Sequence, residues 1–591
     1  MQSTSVAEKG DSPRPLQPPF PSGRKPRTWL AGLCLLIAVH VSLGAHCAWR
    51  FSVTHDEYWH LPAGLAAWNG RFDADHLNPP LSRAWSAIPL AVLRIPVGEP
   101  AAANDSTALG DHFLAANRDR YHEVYAYGRL MNLAWSVLAG VLIAVWGREL
   151  FGEAAGLVGA ALWFLCPVVL SNAALVTPDL CASCLFVAAS YAAWRFARGP
   201  SWARAGALGA VLGLAQLSKF TCVLLVPSVV ILWFVVRAWA GLKPAGALRA
   251  AGQWGLVFVV CLFVWNAGYL FQGTGRPLNS YQFASRSLTG LVEGARPIGG
   301  FRVPVPHDYV TGFDRQRSIM EAVHPVFLDG VWNIGLGFRD YYLRACAYKW
   351  SHAVQAIVVT ALVSCVFTRV GRRHWRACAV VLIPAALVVV TASGSHMQLG
   401  IRYILPAFPL IYLFAGHVGA WLAGPRWTWR AAWVAVCLAA LPAGLRYHPH
   451  HLAYFNELAG GPQRGRYHLL DSNIDWGQDL RELRDYLHEH DIADVKLAYF
   501  GMVPPAELGI RYELPPSAKQ VWAAGGLRPG WYAVSVNFVQ GRPHTIRDAD
   551  DSVRSAVAEE FGYFQGLAPV TSIGWSIDVY KVGLPNAHAR H

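Results

Sequence analysis

Long apolar runs alternate with short polar segments from near the start of this chain to about residue 446. A helix needs about 20 mostly apolar residues to cross a bilayer. Eleven runs approach that length, near residues 29–49, 126–147, 154–172, 180–197, 204–218, 219–236, 252–271, 350–368, 377–393, 403–423 and 430–446. The fifth and sixth runs abut and are the least clearly separated. The pattern predicts a polytopic α-helical membrane protein with about eleven transmembrane helices.

Composition and charge strengthen this interpretation. The chain is 54% hydrophobic and only 15% charged, which is typical of membrane proteins. Its net charge is +13, but the Lys and Arg residues gather in alternate loops between the apolar runs. This positive-inside asymmetry places the N-terminus in the cytoplasm and, with eleven spans, the C-terminal tail outside. The tail has 13 Lys and Arg against 17 Asp and Glu, so the basic surplus reflects topology and argues against a nucleic-acid partner.

Three regions follow from this division. Residues 1–28 are rich in Pro, Ser and Arg and predict a disordered cytoplasmic leader. Residues 29–446 form the transmembrane domain, with large outside loops at 50–125 and 272–349. Residues 447–591 contain no Cys, which excludes a disulfide framework, and predict a soluble extracytoplasmic α/β domain large enough to fold alone.

Local patterns within the tail and the first loop predict particular elements. In the tail, we expect helices over 479–488 and 549–560 and strands over 495–500, 531–536 and 576–580. In the first loop, apolar and aromatic positions recur at helical spacing after Asp56 and Glu57, namely Tyr58, Trp59, Leu61, Leu65 and Trp68. This spacing predicts an amphipathic helix that lies in the membrane interface.

The outer ends of the predicted spans gather a few ionisable residues. These are Asp56 and Glu57 after the first span, Asp179 at the start of the fourth, Lys219 between the fifth and sixth, and Arg402 at the start of the tenth. Because the predicted topology places all five on one side, they indicate a site at the outer leaflet.

Each residue also has a simpler interpretation. Thr177-Pro178-Asp179 is a good helix start, with Thr as cap. Lys219 and Arg402 can snorkel to lipid headgroups, and Asp56 and Glu57 can simply begin a helix.

Taken together, the five residues suit transfer from a phosphorylated lipid. A phosphate leaving group needs cations, which Lys219 and Arg402 supply. The incoming hydroxyl or amine needs a carboxylate to take its proton. Asp56 is placed for this role, and Glu57 or Asp179 would orient it or hold a substrate.

Metal motifs in the sequence are weak. The segment from Asp471 to Glu482 has acidic residues at positions of a calcium loop, but Trp476 occupies the place that requires Gly. His448, His450 and His451 have no Cys or carboxylate at useful spacing. We therefore expect no obligatory metal and no other cofactor, while a divalent metal stays open.

Five stretches resemble the GT-C glycosyltransferases of the protein O-mannosyltransferase and aminoarabinose transferase type. They are THDEYWHLPAGLAAWNGRF…HLNPPL (Thr54–Leu81), LVTPDL (Leu175–Leu180), GLAQLSKFTCVLLVP (Gly213–Pro227), RYILPAFPLIYLFAG (Arg402–Gly416) and AYFNELAGGP…LLDSNIDWGQDL (Ala453–Leu480). The resemblance implies a bundle of transmembrane helices with interfacial helices, in a bacterial cytoplasmic membrane. It implies inverting transfer from a polyprenyl-phosphate sugar donor to an outside lipid, glycan or protein acceptor.

The same resemblance implies roles for single residues. Asp56 would be the catalytic carboxylate with Glu57 beside it, and Asp179 the second acidic position. Lys219 and Arg402 would contact the donor phosphate. The first-loop motif also supplies His55, His76 and Asn78 as candidates for substrate binding.

Two other functions stay open at this point. A lipid-linked-sugar transporter or flippase would place paired charges near the middle of the bilayer, whereas the charges here lie at one face. A scaffold whose tail recruits other envelope proteins would be an additional role for residues 447–591.

Overall fold

The computed structural model describes residues 26–241, 246–294, 299–423 and 445–583. Its helices are α1 (Pro26–Arg50), α2 (Glu57–Trp68), α3 (Leu81–Ser86), α4 (Ile88–Val92), α5 (Ser106–Asn117), α6 (Tyr121–Phe151), α7 (Glu153–Phe164), α8 (Pro167–Ala173), α9 (Asp179–Arg198), α10 (Trp202–Gln216), α11 (Leu225–Trp239), α12 (Ala247–Ala267), α13 (Arg286–Gly294), α14 (His307–Glu321), α15 (Tyr341–Lys349), α16 (His352–Phe367), α17 (Arg369–Ser393), α18 (Phe408–Ala415), α19 (Pro462–Gly465), α20 (Leu480–Glu489), α21 (Ala518–Ala523) and α22 (Val536–Val539). The strands are β1 (Pro325–Leu328), β2 (Val331–Ile334), β3 (Val495–Ala498), β4 (Tyr512–Glu513), β5 (Gly530–Ser535), β6 (His544–Arg547), β7 (Val553–Ala556), β8 (Thr571–Ile573) and β9 (Ile577–Val582).

Within these described ranges, seven helical segments are long and apolar enough to cross a membrane, or eight if the bent pair of α7 and α8 is one span. That pair meets at 62°, where Pro167 begins α8 and lacks the N–H that would continue the helix. The apolar α16 has 16 residues and α10 has 15, so each is short for a full crossing. The predicted span at 430–446 lies almost wholly outside the described residues. A polytopic helical membrane protein is confirmed, and the count of eleven stays a prediction.

Close packing of α10 on α12 sets the place of the segment that follows α10. A Cβ atom on Gly213 would lie 2.7 Å from Val264 Cβ, and one on Gly209 would lie 2.6 Å from Val257 O. Small residues allow helices to approach this closely in a membrane. The chain therefore leaves α10 at a defined position, three residues before Lys219.

The first loop folds as a buried layer. Helix α2 begins at Glu57, but Tyr58 and Leu61 are 0% exposed and Leu65 is 4% exposed. They belong to one apolar core with tail residues that include Leu480, Leu483 and Leu497. The predicted helix is confirmed as α2, but most of its residues are buried, because Tyr58 packs against Gly110 of α5 and Leu61 against Gly128 of α6. Its expected amphipathic character is therefore wrong, and its place in the membrane interface stays a prediction.

The tail contains a mixed sheet in the order β4-β3-β5-β9-β8. Strand β3 is parallel to β4 and β5, whereas β9 is antiparallel to β5 and β8. The expected helix at 479–488 and the three expected strands appear as α20, β3, β5 and β9.

The expected helix at 549–560 is wrong. Strands β6 and β7 pair as an antiparallel hairpin there, and Asp551 at the turn has φ +64°. A right-handed helix cannot contain that backbone conformation.

Candidate active site

Asp56 is held at the start of α2 by backbone contacts between the first loop and the tail. Ser52 N donates to Gln478 O at 2.8 Å, and His55 N donates to Trp476 O at 2.8 Å. The Asp56 carboxylate accepts a hydrogen bond from Arg402 Nη1 at 3.0 Å and does not cap α2. Helix initiation alone therefore does not explain Asp56.

Glu57 points in another direction, into the protein. It forms a bidentate pair with Arg129, whose Nε and Nη2 lie 2.8 Å and 2.6 Å from its two oxygens, and both side chains are 0% exposed. The carboxylate also accepts from the N and Oγ1 of Thr54 and from Val176 N. Arg129 gives its other N–H groups to the carbonyls of Ala48, Phe51 and Ser52. This network ties α1, α2, α6 and the segment before α9 together.

Asp179, in the first turn of α9, is 0% exposed. Its Oδ1 accepts from Lys219 Nζ at 2.5 Å, while Oδ2 has no hydrogen-bond partner among the described residues. Among the described residues, Thr177 Oγ1 also has no hydrogen-bond partner, and no side chain caps α9. The capping interpretation is therefore wrong. An unpartnered oxygen on a buried carboxylate marks a place where a ligand would form a hydrogen bond.

Arg402 bridges the two carboxylates. Its Nη1 lies 3.0 Å from Asp56 Oδ2 and 3.7 Å from Asp179 Oδ2, and its guanidinium carbon lies 4.2 Å from the centre of the Trp476 ring. This aromatic face attracts the cation and keeps it in the site. Neither Arg402 nor Lys219 snorkels to the lipid, since both are directed at carboxylates of the site and are only 13% and 15% exposed.

Asp56, Arg402, Asp179 and Lys219 thus form one chain of alternating charges, which we call the charge chain. The prediction that these residues converge is confirmed by their contacts. Asp56 is the most accessible member, with 21% of its side chain exposed. Burial raises the pKa of Asp56, but Arg402 and His55 outweigh this effect and hold the pKa well below its usual range. The carboxylate is therefore ionised at neutral pH.

The three candidates for substrate binding occupy two places. His55 lies beside Asp56, and its ring contacts Trp59 and His544 at centroid distances of 4.9 Å and 4.7 Å. His76 and Asn78 line a separate narrow cleft, where His76 Nε2 is 3.4 Å from Asp308. Of the three, His55 adjoins the charge chain directly.

Sequence reasoning missed three residues that position the site: Arg129, Trp476 and Lys349. Arg129 lies within an apolar run, and a charge there is a signal of a buried partner. Lys349 is 2% exposed, and its Nζ donates to Leu452 O at 2.8 Å and to Asn473 O at 2.7 Å. It anchors the tail segment that carries Trp476, and no local pattern in the sequence indicates this role.

The tail segment from Asp471 to Glu482 does not form a calcium loop. Asp471 pairs with Arg542 at 2.5 Å, Asp475 accepts from Ser535 and Gly477, and Asp479 accepts from Ser576. These carboxylates face different partners. Burial raises the pKa of Asp475 to about 8, so this group is largely protonated at neutral pH.

Three groups of side chains within the described ranges could hold a metal ion. The tail histidines divide between two of them: His448 and His451 lie with Cys47, whereas His450 lies with Asp479 and Glu482. The third group is Cys365, Cys378 and His417. None of these groups contains a member of the charge chain.

Comparison with known proteins gives a match over part of the chain. Residues 123–265 match the model of the family described as dolichyl-phosphate-mannose-protein mannosyltransferase. The matched segment contains Arg129, Asp179 and Lys219, while Asp56 and Arg402 lie outside it. A search of curated proteins gives no significant match.

Several solved structures are similar at low identity. ArnT from Cupriavidus metallidurans in the apo state is 12% identical with a TM-score of 0.44, covering 94% of this chain and 98% of that chain. The same protein bound to undecaprenyl phosphate is 11% identical with a TM-score of 0.43 and the same coverage. The Archaeoglobus fulgidus oligosaccharyltransferase in the apo form is 12% identical with a TM-score of 0.45, covering 91% of this chain and 75% of that chain. The chain is a polytopic membrane protein by its apolar helices, and by the family match it resembles the GT-C glycosyltransferases of the dolichyl-phosphate-mannose-protein mannosyltransferase type, as its motifs predicted.

Proposed function

We propose that this protein is an integral-membrane glycosyltransferase that moves a sugar from a polyprenyl-phosphate donor to an extracytoplasmic acceptor with inversion. The charge chain is the observation that carries the proposal. It places an accessible carboxylate, Asp56, within 3.0 Å of Arg402, and it brings Arg402 and Lys219 together at Asp179. A base and two cations are the groups that sugar transfer from a lipid phosphate requires.

Lys219 and Arg402 hold the donor phosphate in this proposal. Lysine has three N–H donors and arginine has five. Asp179 accepts one hydrogen bond from Lys219, and Asp56 accepts one from Arg402. The Nε of Arg402 is buried and has no hydrogen-bond partner among the described residues. Phosphate oxygens would accept the remaining donors, and the two positive charges would stabilise the polyprenyl phosphate as it leaves.

Asp56 is the base. It takes the proton from the acceptor hydroxyl or amine while the acceptor atom bonds to the anomeric carbon and the bond from that carbon to the phosphate oxygen breaks. Attack from the face opposite the phosphate inverts the anomeric configuration. Since Arg402 lowers the pKa of Asp56, a donor phosphate that draws Arg402 away makes Asp56 a stronger base. Donor binding and base activation are thereby coupled.

Glu57 is a positioning residue. All of its contacts are to the Arg129 side chain, Thr54 and a backbone amide, and it is 0% exposed. We therefore keep Asp56 as the catalytic carboxylate and assign Glu57 to the fixation of α2, with Asp179 holding the two cations.

The acceptor enters from the side of His55, which adjoins Asp56. His76 and Asn78 in the neighbouring cleft bind more distant parts of a substrate. The acceptor is a lipid, a glycan or a protein, and the transfer occurs at the outer face of a bacterial cytoplasmic membrane with the N-terminus inside.

The test uses purified protein in liposomes with a panel of polyprenyl-phosphate sugars and a panel of lipid, glycan and peptide acceptors, and it measures release of polyprenyl phosphate. Asp56→Asn should abolish release at a normal protein level. Asp73→Asn is the matched control, because this first-loop carboxylate is 43% exposed and pairs with Arg71 outside the charge chain. Full release by Asp56→Asn would overturn the assignment. Movement of the labelled donor across the bilayer without release would instead support a transporter.

A further inference from the structure

The end of α1 and the first residues of the tail bring together a thiol and two imidazoles. Cys47 Sγ lies 3.8 Å from His448 Nδ1, and the same His448 Nδ1 lies 3.0 Å from His451 Nε2. All three ligand atoms lie within 4.8 Å of one another. Cys47 and His451 are 0% exposed, so two of the three donors are shielded from water.

These spacings fit a tetrahedral ion. With Zn–N of about 2.0–2.1 Å and Zn–S of about 2.3 Å, a tetrahedron has an N–N edge of about 3.3 Å and an N–S edge of about 3.6 Å. The observed 3.0 Å and 3.8 Å are close to these edges. Two imidazole nitrogens that face each other need either a proton or a cation between them.

The second ring nitrogen of His448 has its own partner. His46 Nδ1 lies 2.6 Å from His448 Nε2, on the side of the ring away from Cys47. Histidines that bind a metal typically donate their other N–H to such an outer group, which fixes the ring and its tautomer. His46 is exposed, so this side also provides a path for an ion.

We propose that Cys47 Sγ, His448 Nδ1 and His451 Nε2 bind a zinc-class divalent ion, with water as the fourth ligand. A thiolate and two imidazoles favour Zn²⁺ over Mg²⁺ or Ca²⁺, which prefer oxygen. Binding releases the thiol proton of Cys47 to solvent as the metal–sulfur bond forms. The Cys47 thiol also contacts Pro449 O at 3.5 Å.

The ion would clamp two distant parts of the chain. Cys47 and His448 are 401 residues apart in sequence. The chain runs from Cys47 to Asp56 in one direction and from His451 to Trp476 in the other, and both reach the charge chain. The site is thus a structural clamp between α1 and the start of the tail, independent of the reaction proposed above.

The first measurement is the zinc content of the purified full-length protein, prepared without a polyhistidine tag, by mass spectrometry. We expect about one zinc per chain. Cys47→Ser and His451→Ala should lose it, and His46→Ala should weaken affinity about 10–100-fold. Two matched controls should keep it: Cys34→Ser, an exposed thiol on the same helix, and His490→Ala, a tail histidine stacked on Tyr486.

Replacement of zinc by cobalt in the wild-type protein tests whether a thiolate binds the ion, and it does not depend on the folding of any variant. Co²⁺-loaded wild-type protein should show a thiolate-to-cobalt charge-transfer band in the near ultraviolet. Cobalt binding without that band, or no stoichiometric binding of either metal, would overturn the proposal. Loss of zinc in His450→Gln with retention in Cys47→Ser would also overturn it, because the ion would then lie with His450, Asp479 and Glu482.

Discussion

Conservative substitutions of the adjacent carboxylates Asp56 and Glu57 should have different effects. One should reduce catalysis and the other should reduce the stability of the fold. Glu57→Gln keeps the side-chain volume but leaves the Arg129 charge, which is 0% exposed, without a counter-charge. Removal of one partner from such a buried pair costs about 3–5 kcal/mol. The new NH₂ group would also face either Arg129 or the backbone donors of Thr54 and Val176. We therefore expect a large loss of stability.

Asp56→Asn should behave differently. Arg402 keeps Asp179 as a counter-charge, and the loss of one hydrogen bond to a charged group costs about 1.5 kcal/mol. Removal of a general base, however, lowers the turnover number about 10²–10⁴-fold. This variant should be stable and inactive, whereas Glu57→Gln should be unstable.

Two assays test the variants Asp56→Asn and Glu57→Gln. Thermal melting of the detergent-purified proteins should rank wild type first, Asp56→Asn second and Glu57→Gln clearly last, and release of polyprenyl phosphate should fall most in Asp56→Asn per folded molecule. Glu149→Gln is a control for loss of a carboxylate, because its pair with Arg195 is largely exposed. The reasoning fails if Glu57→Gln melts with the wild type but loses transfer.

Three further predictions follow from single side chains. Lys219→Ala should raise the KM for the donor and leave the KM for the acceptor unchanged, with partial recovery in Lys219→Arg; a change in acceptor preference alone would refute the phosphate role. The folded pKa of Asp475, about 8, lies above its ordinary 3.8, so its contribution to stability is complete below 3.8 and is lost as the pH rises through about 8. Melting curves between about pH 4 and about pH 8 should show this decline, with a plateau above about pH 8, and Asp475→Asn should flatten it; an equal decline in that variant would assign the effect elsewhere. Lys349→Met should destabilise the protein by about 1–3 kcal/mol, because two buried carbonyls lose their donor; an unchanged melting temperature would show that the anchor is dispensable.

Part of the candidate site could be predicted from sequence because topology is encoded locally. Asp56, Asp179, Lys219 and Arg402 stand at the ends of apolar runs, and alternation of those runs places them on one side. Their direct contacts confirm the convergence. The same reasoning could not separate the roles of Asp56 and Glu57, since the direction of each side chain depends on partners such as Arg129, 72 residues away.

The errors have a common origin. Helix α2 has the spacing of an amphipathic helix, but most of its residues are buried, with Tyr58 against α5 and Leu61 against α6. The segment 549–560 has a helical composition, but a turn at Asp551 and pairing with β6 make it a hairpin. In both cases pairing or packing with another segment outweighed the local pattern.

By itself, the sequence determined that this is a polytopic helical membrane protein with a polar tail, because hydrophobicity and charge bias act along the chain. It also indicated four of the charges that meet, Asp56, Asp179, Lys219 and Arg402, although it wrongly added Glu57 to them. Only the tertiary structure decided that the tail contacts the first loop, that Trp476 lies on Arg402, and that Cys47 meets His448 and His451. Those contacts join segments that are far apart in sequence, and their free energy arises only when the whole fold brings the segments together.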